Sequence, residues 1–118
     1  CHPDVIMATK RAKMLSYPGC FTATECFTAL RHGADGLKLF PSFLVGPKGL
    51  EALRAVLPKT APIYAVGGVG PKNFADWVGA GATGFGIGSS LYKPGMSLAN
   101  IRANAHDITA AYDAVFDR

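Results

Sequence analysis

The sequence has few charged residues, which argues against an intrinsically disordered protein. Only 17% of its 118 residues are charged and 49% are hydrophobic, a composition typical of one folded domain and not of a disordered chain. No apolar run is long enough to predict a membrane span. The 12 basic residues are scattered without interleaved aromatic residues, which argues against nucleic-acid binding. The modest net charge of +4 suits an anionic metabolite.

Cysteine is also scarce. Cys1, Cys20 and Cys26 form neither a C-x-x-C motif nor a Cys/His cluster, so we predict reduced thiols in a cytoplasmic protein without a metal site. The chain begins at Cys1, without methionine or a signal-peptide pattern. We therefore expect it to be part of a longer protein.

Strand and helix patterns alternate along the whole chain. Strands are predicted over 14–17, 36–40, 63–66 and 83–87, and helices over about 3–13, 22–32, 46–57, 71–79 and 98–116. This alternation predicts a parallel sheet with right-handed crossovers and helices on its outer face. A doubly wound sheet and a (β/α)8 barrel both fit the pattern, and the loops described below favour the barrel.

Lys38 stands in the middle of a short apolar strand. Because side chains alternate along a strand, Leu37 and Leu39 should face one way and Lys38 and Phe40 the other. Desolvation disfavours the ammonium form of lysine, and a neutral lysine is a nucleophile towards carbonyl groups. A lysine that merely extends its amine into water at the strand end is the alternative interpretation.

Two glycine-rich loops follow the last two predicted strands. Gly67-Gly68-Val69-Gly70 and Gly86-Ile87-Gly88-Ser89 allow the backbone to approach an anion closely. In (β/α)8 barrels the phosphate site commonly lies after strands seven and eight, so the chain is predicted to be the C-terminal half of a barrel. Neither loop is a Walker motif or a G-x-G-x-x-G turn opening a helix, and the chain has no G-x-S-x-G elbow.

The remaining titratable residues are weaker candidates. Glu25 completes a capping box with Thr22, and Glu51 should be an exposed helix residue. The three histidines, His2, His32 and His106, are predicted to lie on helix surfaces or at helix ends, away from the strand ends that carry chemistry.

Taken in order, the motifs resemble the class I aldolases of 2-keto-3-deoxy-6-phosphosugars. The elements that carry the resemblance are Pro18-Gly19-x-x-Thr22-x-x-Glu25, Leu37-Lys38-Leu39-Phe40-Pro41-Ser42, Val66-Gly67-Gly68-Val69 and Gly86-x-Gly88-Ser89. The resemblance covers the whole chain and implies a (β/α)8 barrel that needs no cofactor. It further implies cleavage of a phosphosugar to pyruvate and glyceraldehyde 3-phosphate, in a cytoplasmic homo-oligomer that is a trimer.

The resemblance also assigns roles to residues. Lys38 would form the Schiff base, and Phe40 would line the pyruvate pocket. The other expected substrate contacts are Thr22, Pro41, Ser42 and Val66, and the expected phosphate cradle is Gly67, Gly68, Gly88 and Ser89.

Val66 distinguishes two branches of that family. The gluconate branch carries threonine directly before the paired glycines, whereas this chain carries Val66 there, as in the galactonate branch. The family's general base is a glutamate on an early strand that this sequence does not contain, so we expect the chain alone to be inactive. A gluconate-specific aldolase, another phosphate-binding barrel enzyme and a non-catalytic phosphate-binding module remain the alternatives.

Overall fold

A computed structural model describes residues 1–116. Strands and helices alternate along the chain. In chain order they are α1 (Pro3–Arg11), β1 (Gly19–Cys20), α2 (Ala23–Arg31), β2 (Leu37–Leu39), α3 (Ser42–Val56), β3 (Ile63–Val66), α4 (Phe74–Gly79), β4 (Gly84–Gly86) and α5 (Leu98–Phe116).

The four strands form one parallel sheet in the order β1-β2-β3-β4. Gly19 pairs with Lys38, Lys38 with Tyr64, and Tyr64 with Gly84, so one row of residues crosses the sheet at the level of the lysine. Because all strands run the same way, their carboxyl ends meet at one edge of the sheet. The predicted parallel sheet is confirmed.

The core lies between the sheet and its helices. Leu37, Leu39, Ile63 and Ala65 are at most 1% exposed, as expected for the helix-facing residues of alternating strands. The helices contribute the buried side chains Ile6, Cys26, Ala29, Leu50, Phe74 and Trp77. Lys38, Tyr64 and Val66, on the other face, are only half-buried. The sheet therefore has a packed face and a more accessible face.

The first predicted strand is wrong in position. Residues 14–17 are not in a strand, and β1 instead comprises the two residues Gly19 and Cys20. The side chains of Met14 and Leu15 are 56% and 68% exposed, so their apolar character did not mark a buried strand. Within residues 1–116, β1 pairs only with β2, and its position follows from that neighbour rather than from its own sequence.

Two helix starts also differ from the prediction. α3 begins at Ser42, but its helical path is broken at Gly46, where φ is 70° and ψ is 166°, so the helix predicted from Gly46 corresponds to the part of α3 after this break. Glycine adopts this conformation without the steric cost that a Cβ atom would impose. α4 begins at Phe74, because residues 71–73 form a turn before it.

Two side chains brace the amino-terminal edge of the sheet. Arg54 of α3 donates from Nε to the Gly81 carbonyl (2.8 Å) and from Nη1 to the Ala61 carbonyl (2.7 Å). Asp35 accepts from Lys10 Nζ and from the Ser16 backbone N–H, each at 2.7 Å. These bonds fix the chain where it enters β2, β3 and β4.

None of the helices in the part of the chain described is long and apolar enough to cross a membrane.

Candidate active site

Lys38 lies in the centre of the sheet, on the face opposite the helix-packed core. Its neighbours in sequence, Leu37 and Leu39, are buried on the other face, as the alternation predicted. Lys38 Nζ lies 4.7 Å from the centroid of the Phe40 ring, within the range of a cation–π contact. Lys38 and Phe40 therefore share one face of the chain, and the aromatic ring contacts the amine directly.

The Lys38 side chain lines a cavity of about 300 Å³. Its walls come from all four strands or the residues that lead into them, namely Tyr17, Lys38, Tyr64, Val66, Phe85 and Gly86. Aromatic and aliphatic side chains predominate, so an amine here has few polar neighbours. Such a site fits a small carbonyl compound, which needs one nucleophile and an otherwise apolar wall.

A second cavity of about 320 Å³ adjoins the first. Val66 and Gly86 line both cavities, and the Val66 side chain lies over Gly86, where an added Cβ would approach Val66 Cγ2 to 2.6 Å. The lining residues are Phe40, Val66, Gly67, Gly68, Val69, Gly86, Gly88, Ser89 and Ser90. The structure thus places Phe40, Val66 and the four predicted phosphate-cradle residues around one space.

The loop after β3 is held in a conformation that favours glycine. Gly67 and Gly68 have φ values of 90° and 74°, in the left-handed region. Asn73 braces this loop, since its side-chain amide donates to the Gly68 carbonyl (2.9 Å) and its Oδ1 accepts from the Gly70 N–H (3.0 Å). Asn73 was not among the predicted site residues. A side-chain amide five residues after the second of the paired glycines was the available signal.

Ser42 does not occupy the predicted position of a substrate ligand. It is fully buried, its hydroxyl donates to the Leu39 carbonyl (2.7 Å), and the Val66 N–H donates to it (2.8 Å). The predicted direct contact with substrate is therefore wrong for Ser42, because its side chain is completely covered. Pro41, the preceding residue, is half-buried, and the Phe40–Pro41 peptide bond is cis.

Thr22 is engaged in capping helix α2. Its Oγ1 accepts from the Glu25 N–H (3.2 Å), and the Glu25 carboxylate accepts from the N–H groups of Phe21 (2.8 Å) and Thr22 (2.9 Å). The bonds from Phe21 and then Thr22 hold the pKa of Glu25 below its usual value. The predicted capping box is confirmed, and Thr22 lines neither of the two cavities at Lys38.

The histidines lie where the sequence predicted. His2 precedes α1, His32 follows α2 with its Nδ1 2.7 Å from the Thr28 carbonyl, and His106 is exposed on α5. Glu51 is exposed, also as predicted. Neither cavity is lined by a histidine or a carboxylate of residues 1–116, so in this part of the chain no imidazole or carboxylate accompanies Lys38.

Cys20 and Cys26 are neighbours in the fold. Both are 2% exposed, and the neighbouring Cys26 thiol, together with burial, raises the pKa of Cys20. The six-residue spacing did not reveal this contact, which depends on α2 packing back on β1. Among the described residues no group of three or more His, Cys, Asp or Glu side chains could hold a metal ion.

Known proteins share this sequence and architecture. The chain is 51% identical over 97% of its length to a protein of Rhizobium meliloti (strain 1021) named probable 2-dehydro-3-deoxy-6-phosphogalactonate aldolase. It is 47% identical over 94% of its length to the 2-dehydro-3-deoxy-6-phosphogalactonate aldolase of Escherichia coli (strain K12). In each case it covers 54% of the relative, so the chain spans about half the length of the curated relatives it matches.

The structural comparison agrees with the sequence comparison. A solved structure described as native KDPGal superposes on all of this chain with a TM-score of 0.96 and 44% identity, over 57% of its own length. Four parallel strands with outer helices, matching about half of such a structure, confirm the predicted half of a (β/α)8 barrel. The family model described as KDPG and KHG aldolase matches residues 1–109, and the chain belongs to that family.

Proposed function

We propose that this chain carries the Schiff-base and phosphate-binding part of a class I aldolase that cleaves 2-dehydro-3-deoxy-6-phosphogalactonate. The observation that carries the proposal is the pair of adjoining cavities, one containing Lys38 and the other lined by the two glycine loops. A substrate with a ketone at one end and a phosphate at the other can occupy both at once.

Lys38 is the nucleophile. Its neutral amine attacks the C2 ketone to give a carbinolamine, which loses water to form an iminium ion. The iminium accepts the electron pair of the C3–C4 bond as that bond breaks, and the C4 hydroxyl loses its proton to a base, releasing glyceraldehyde 3-phosphate. The resulting enamine takes up a proton at C3, and water then hydrolyses the iminium to release pyruvate and regenerate Lys38.

The Phe40 ring bounds the reacting end of the substrate. It lies against the Lys38 amine and also lines the second cavity, so it contacts the carbon chain between the ketone and the phosphate. Because no histidine or carboxylate of residues 1–116 lines either cavity, the base that accepts the C4 proton is not one of these described side chains.

The glycine loops bind the phosphate. Gly67 and Gly68 let the backbone turn sharply, and Gly88 and Ser89 face them across the second cavity. Backbone N–H groups and the Ser89 hydroxyl can donate to phosphate oxygens. This remote binding orients the ketone over Lys38 and contributes to the rate through positioning.

The galactonate epimer is the proposed substrate because of Val66. This residue lies between the ketone and phosphate cavities and offers no hydrogen bond from its side chain to the substrate. The names of the two curated relatives agree with this choice. By the resemblance to the family, the complete enzyme is a cytoplasmic homotrimer.

Borohydride trapping tests the proposed nucleophile. The full-length gene product that contains this chain is incubated with pyruvate and sodium borohydride, and peptide mass spectrometry locates the covalent adduct. We expect labelling at Lys38, loss of labelling and of phosphosugar cleavage in Lys38→Ala, and unchanged labelling in Lys48→Ala, an exposed lysine on α3. Cleavage that survives Lys38→Ala would refute the Schiff-base mechanism and favour another phosphate-binding barrel enzyme.

A further inference from the structure

The Ser42 hydroxyl is hydrogen-bonded to one backbone group of β2 and one of β3, at the carboxyl end of the two strands. Leu39 is opposite Ala65 in the register, so the Leu39 carbonyl and the Val66 N–H are the neighbouring backbone groups at the carboxyl end of the ladder. The Ser42 hydroxyl donates to this carbonyl at 2.7 Å and accepts from this N–H at 2.8 Å. One fully buried side chain therefore links the ends of two neighbouring strands.

The linked residues belong to the two halves of the candidate site. Leu39 lies between Lys38 and Phe40, whereas Val66 separates the two cavities and leads directly into Gly67. Phe43, which follows Ser42, makes a second hydrogen bond between α3 and this loop, because its N–H donates to the Gly67 carbonyl at 3.2 Å. Residues 42 and 43 thus tie the first turn of α3 to the start of the phosphate loop.

We infer that Ser42 is a positioning residue that sets the phosphate loop relative to the Lys38 amine. This inference rests on the proposed function, and it replaces direct substrate binding by Ser42. A substrate anchored at its phosphate brings its ketone to Lys38 only if the distance between the two subsites is correct. A displacement of about 1 Å at a reacting centre can lower a rate about 100-fold.

The inference separates two reactions of the same lysine. Pyruvate has no phosphate, so its Schiff base with Lys38 does not depend on where the loop lies. Cleavage of the phosphosugar depends on both subsites. A merely structural role for Ser42 would lower both activities together, because a partly unfolded site loses the lysine cavity and the phosphate cradle alike.

The experiment compares Ser42→Ala with Ser16→Ala in the full-length gene product that contains this chain. Ser16 is the matched control, because it is the other buried serine of residues 1–116 and lies at the opposite edge of the sheet. We measure pyruvate trapping at Lys38 and kcat/KM for phosphosugar cleavage. Ser42→Ala should lower kcat/KM by about 10- to 100-fold and change the trapping rate less than about twofold, whereas Ser16→Ala should leave the ratio of the two unchanged.

Ser42→Cys checks that the hydrogen bonds, and not the filled volume, are responsible. A thiol is a weaker donor and acceptor, so this variant should fall between the wild type and Ser42→Ala. A larger loss in Ser42→Cys than in Ser42→Ala would overturn the inference in favour of packing. An equal loss of trapping and cleavage in Ser42→Ala, or no loss of either, would also overturn it. If the wild type itself traps no pyruvate at Lys38, the proposed function fails as well.

Discussion

Replacing Gly68 with alanine tests whether the loop after β3 binds the phosphate of the substrate. Gly68 has a φ of 74°, and a residue with a Cβ atom in the left-handed region costs about 1–2 kcal/mol. An added Cβ would also lie 2.7 Å from the Cβ of Phe43. Because Phe43 Cβ is attached to the backbone of α3, it cannot rotate away, and the loop itself must move.

The expected magnitude follows from that strain. The loop can relieve about 1–2 kcal/mol of this strain by leaving its phosphate-binding conformation. The binding free energy of the phosphate then weakens by the same amount, which corresponds to a dissociation constant about 5- to 30-fold higher. We therefore expect KM for the phosphosugar to rise by about 5- to 30-fold in Gly68→Ala. The rate of pyruvate trapping at Lys38 should stay within about twofold of the wild type, because pyruvate does not use the loop.

Gly70→Ala is the matched control for this substitution. Gly70 belongs to the same loop but lies outside the left-handed region, and an added Cβ would meet no heavy atom within 4 Å. Steady-state kinetics with the phosphosugar and borohydride trapping with pyruvate supply the two readouts. Equal losses of both in Gly68→Ala, or the same rise of KM in Gly70→Ala, would refute a dedicated phosphate site at this loop.

Two further predictions concern Val66 and Asp35. Val66→Thr, which keeps the side-chain shape over Gly86 but adds a hydroxyl, should shift the ratio of kcat/KM for the galactonate and gluconate epimers towards the gluconate epimer; an unchanged ratio would remove Val66 from specificity. Hydrogen bonds from Lys10 and the Ser16 N–H lower the pKa of Asp35, so its contribution to stability is present above the unfolded value of about 3.9 and is lost as pH falls through the lower folded value. In urea denaturation, the free energies of unfolding of the wild type and Asp35→Asn should converge between about pH 5 and pH 2. A difference that persists at pH 2 would contradict this reasoning, and so would an equal pH effect in the control Asp113→Asn, which changes an exposed residue.

Local sequence signals predicted the elements whose stability depends on nearby residues. The capping box at Thr22 and Glu25 lies where the motif placed it, and α5 spans the predicted 98–116. The alternation around Lys38 correctly assigned Leu37 and Leu39 to the buried face. These features depend on spacing along the chain, so the sequence alone contains the necessary information.

Features that depend on distant partners were not predictable in the same way. The position of β1 follows from its pairing with β2, and the contact between Cys20 and Cys26 follows from the packing of α2. Ser42 was predicted to bind substrate by resemblance, but its hydroxyl is hydrogen-bonded to the Leu39 carbonyl and the Val66 N–H. Residue identity cannot distinguish these roles, because a serine hydroxyl serves a ligand or a backbone group equally well.

The hydrogen bonds made by Arg54 support the sheet at a distance from the candidate site, so substitutions at the site need not disturb them. They hold residues just before β3 and β4, at the amino-terminal edge of the sheet, whereas Lys38, the glycine loops and Ser42 serve the carboxyl-terminal side. Effects of substitutions at well-separated sites without shared partners usually add. Loops at the chemical edge can therefore acquire new substrate preferences, over evolution or in the laboratory, while the Arg54 anchor continues to support the same sheet.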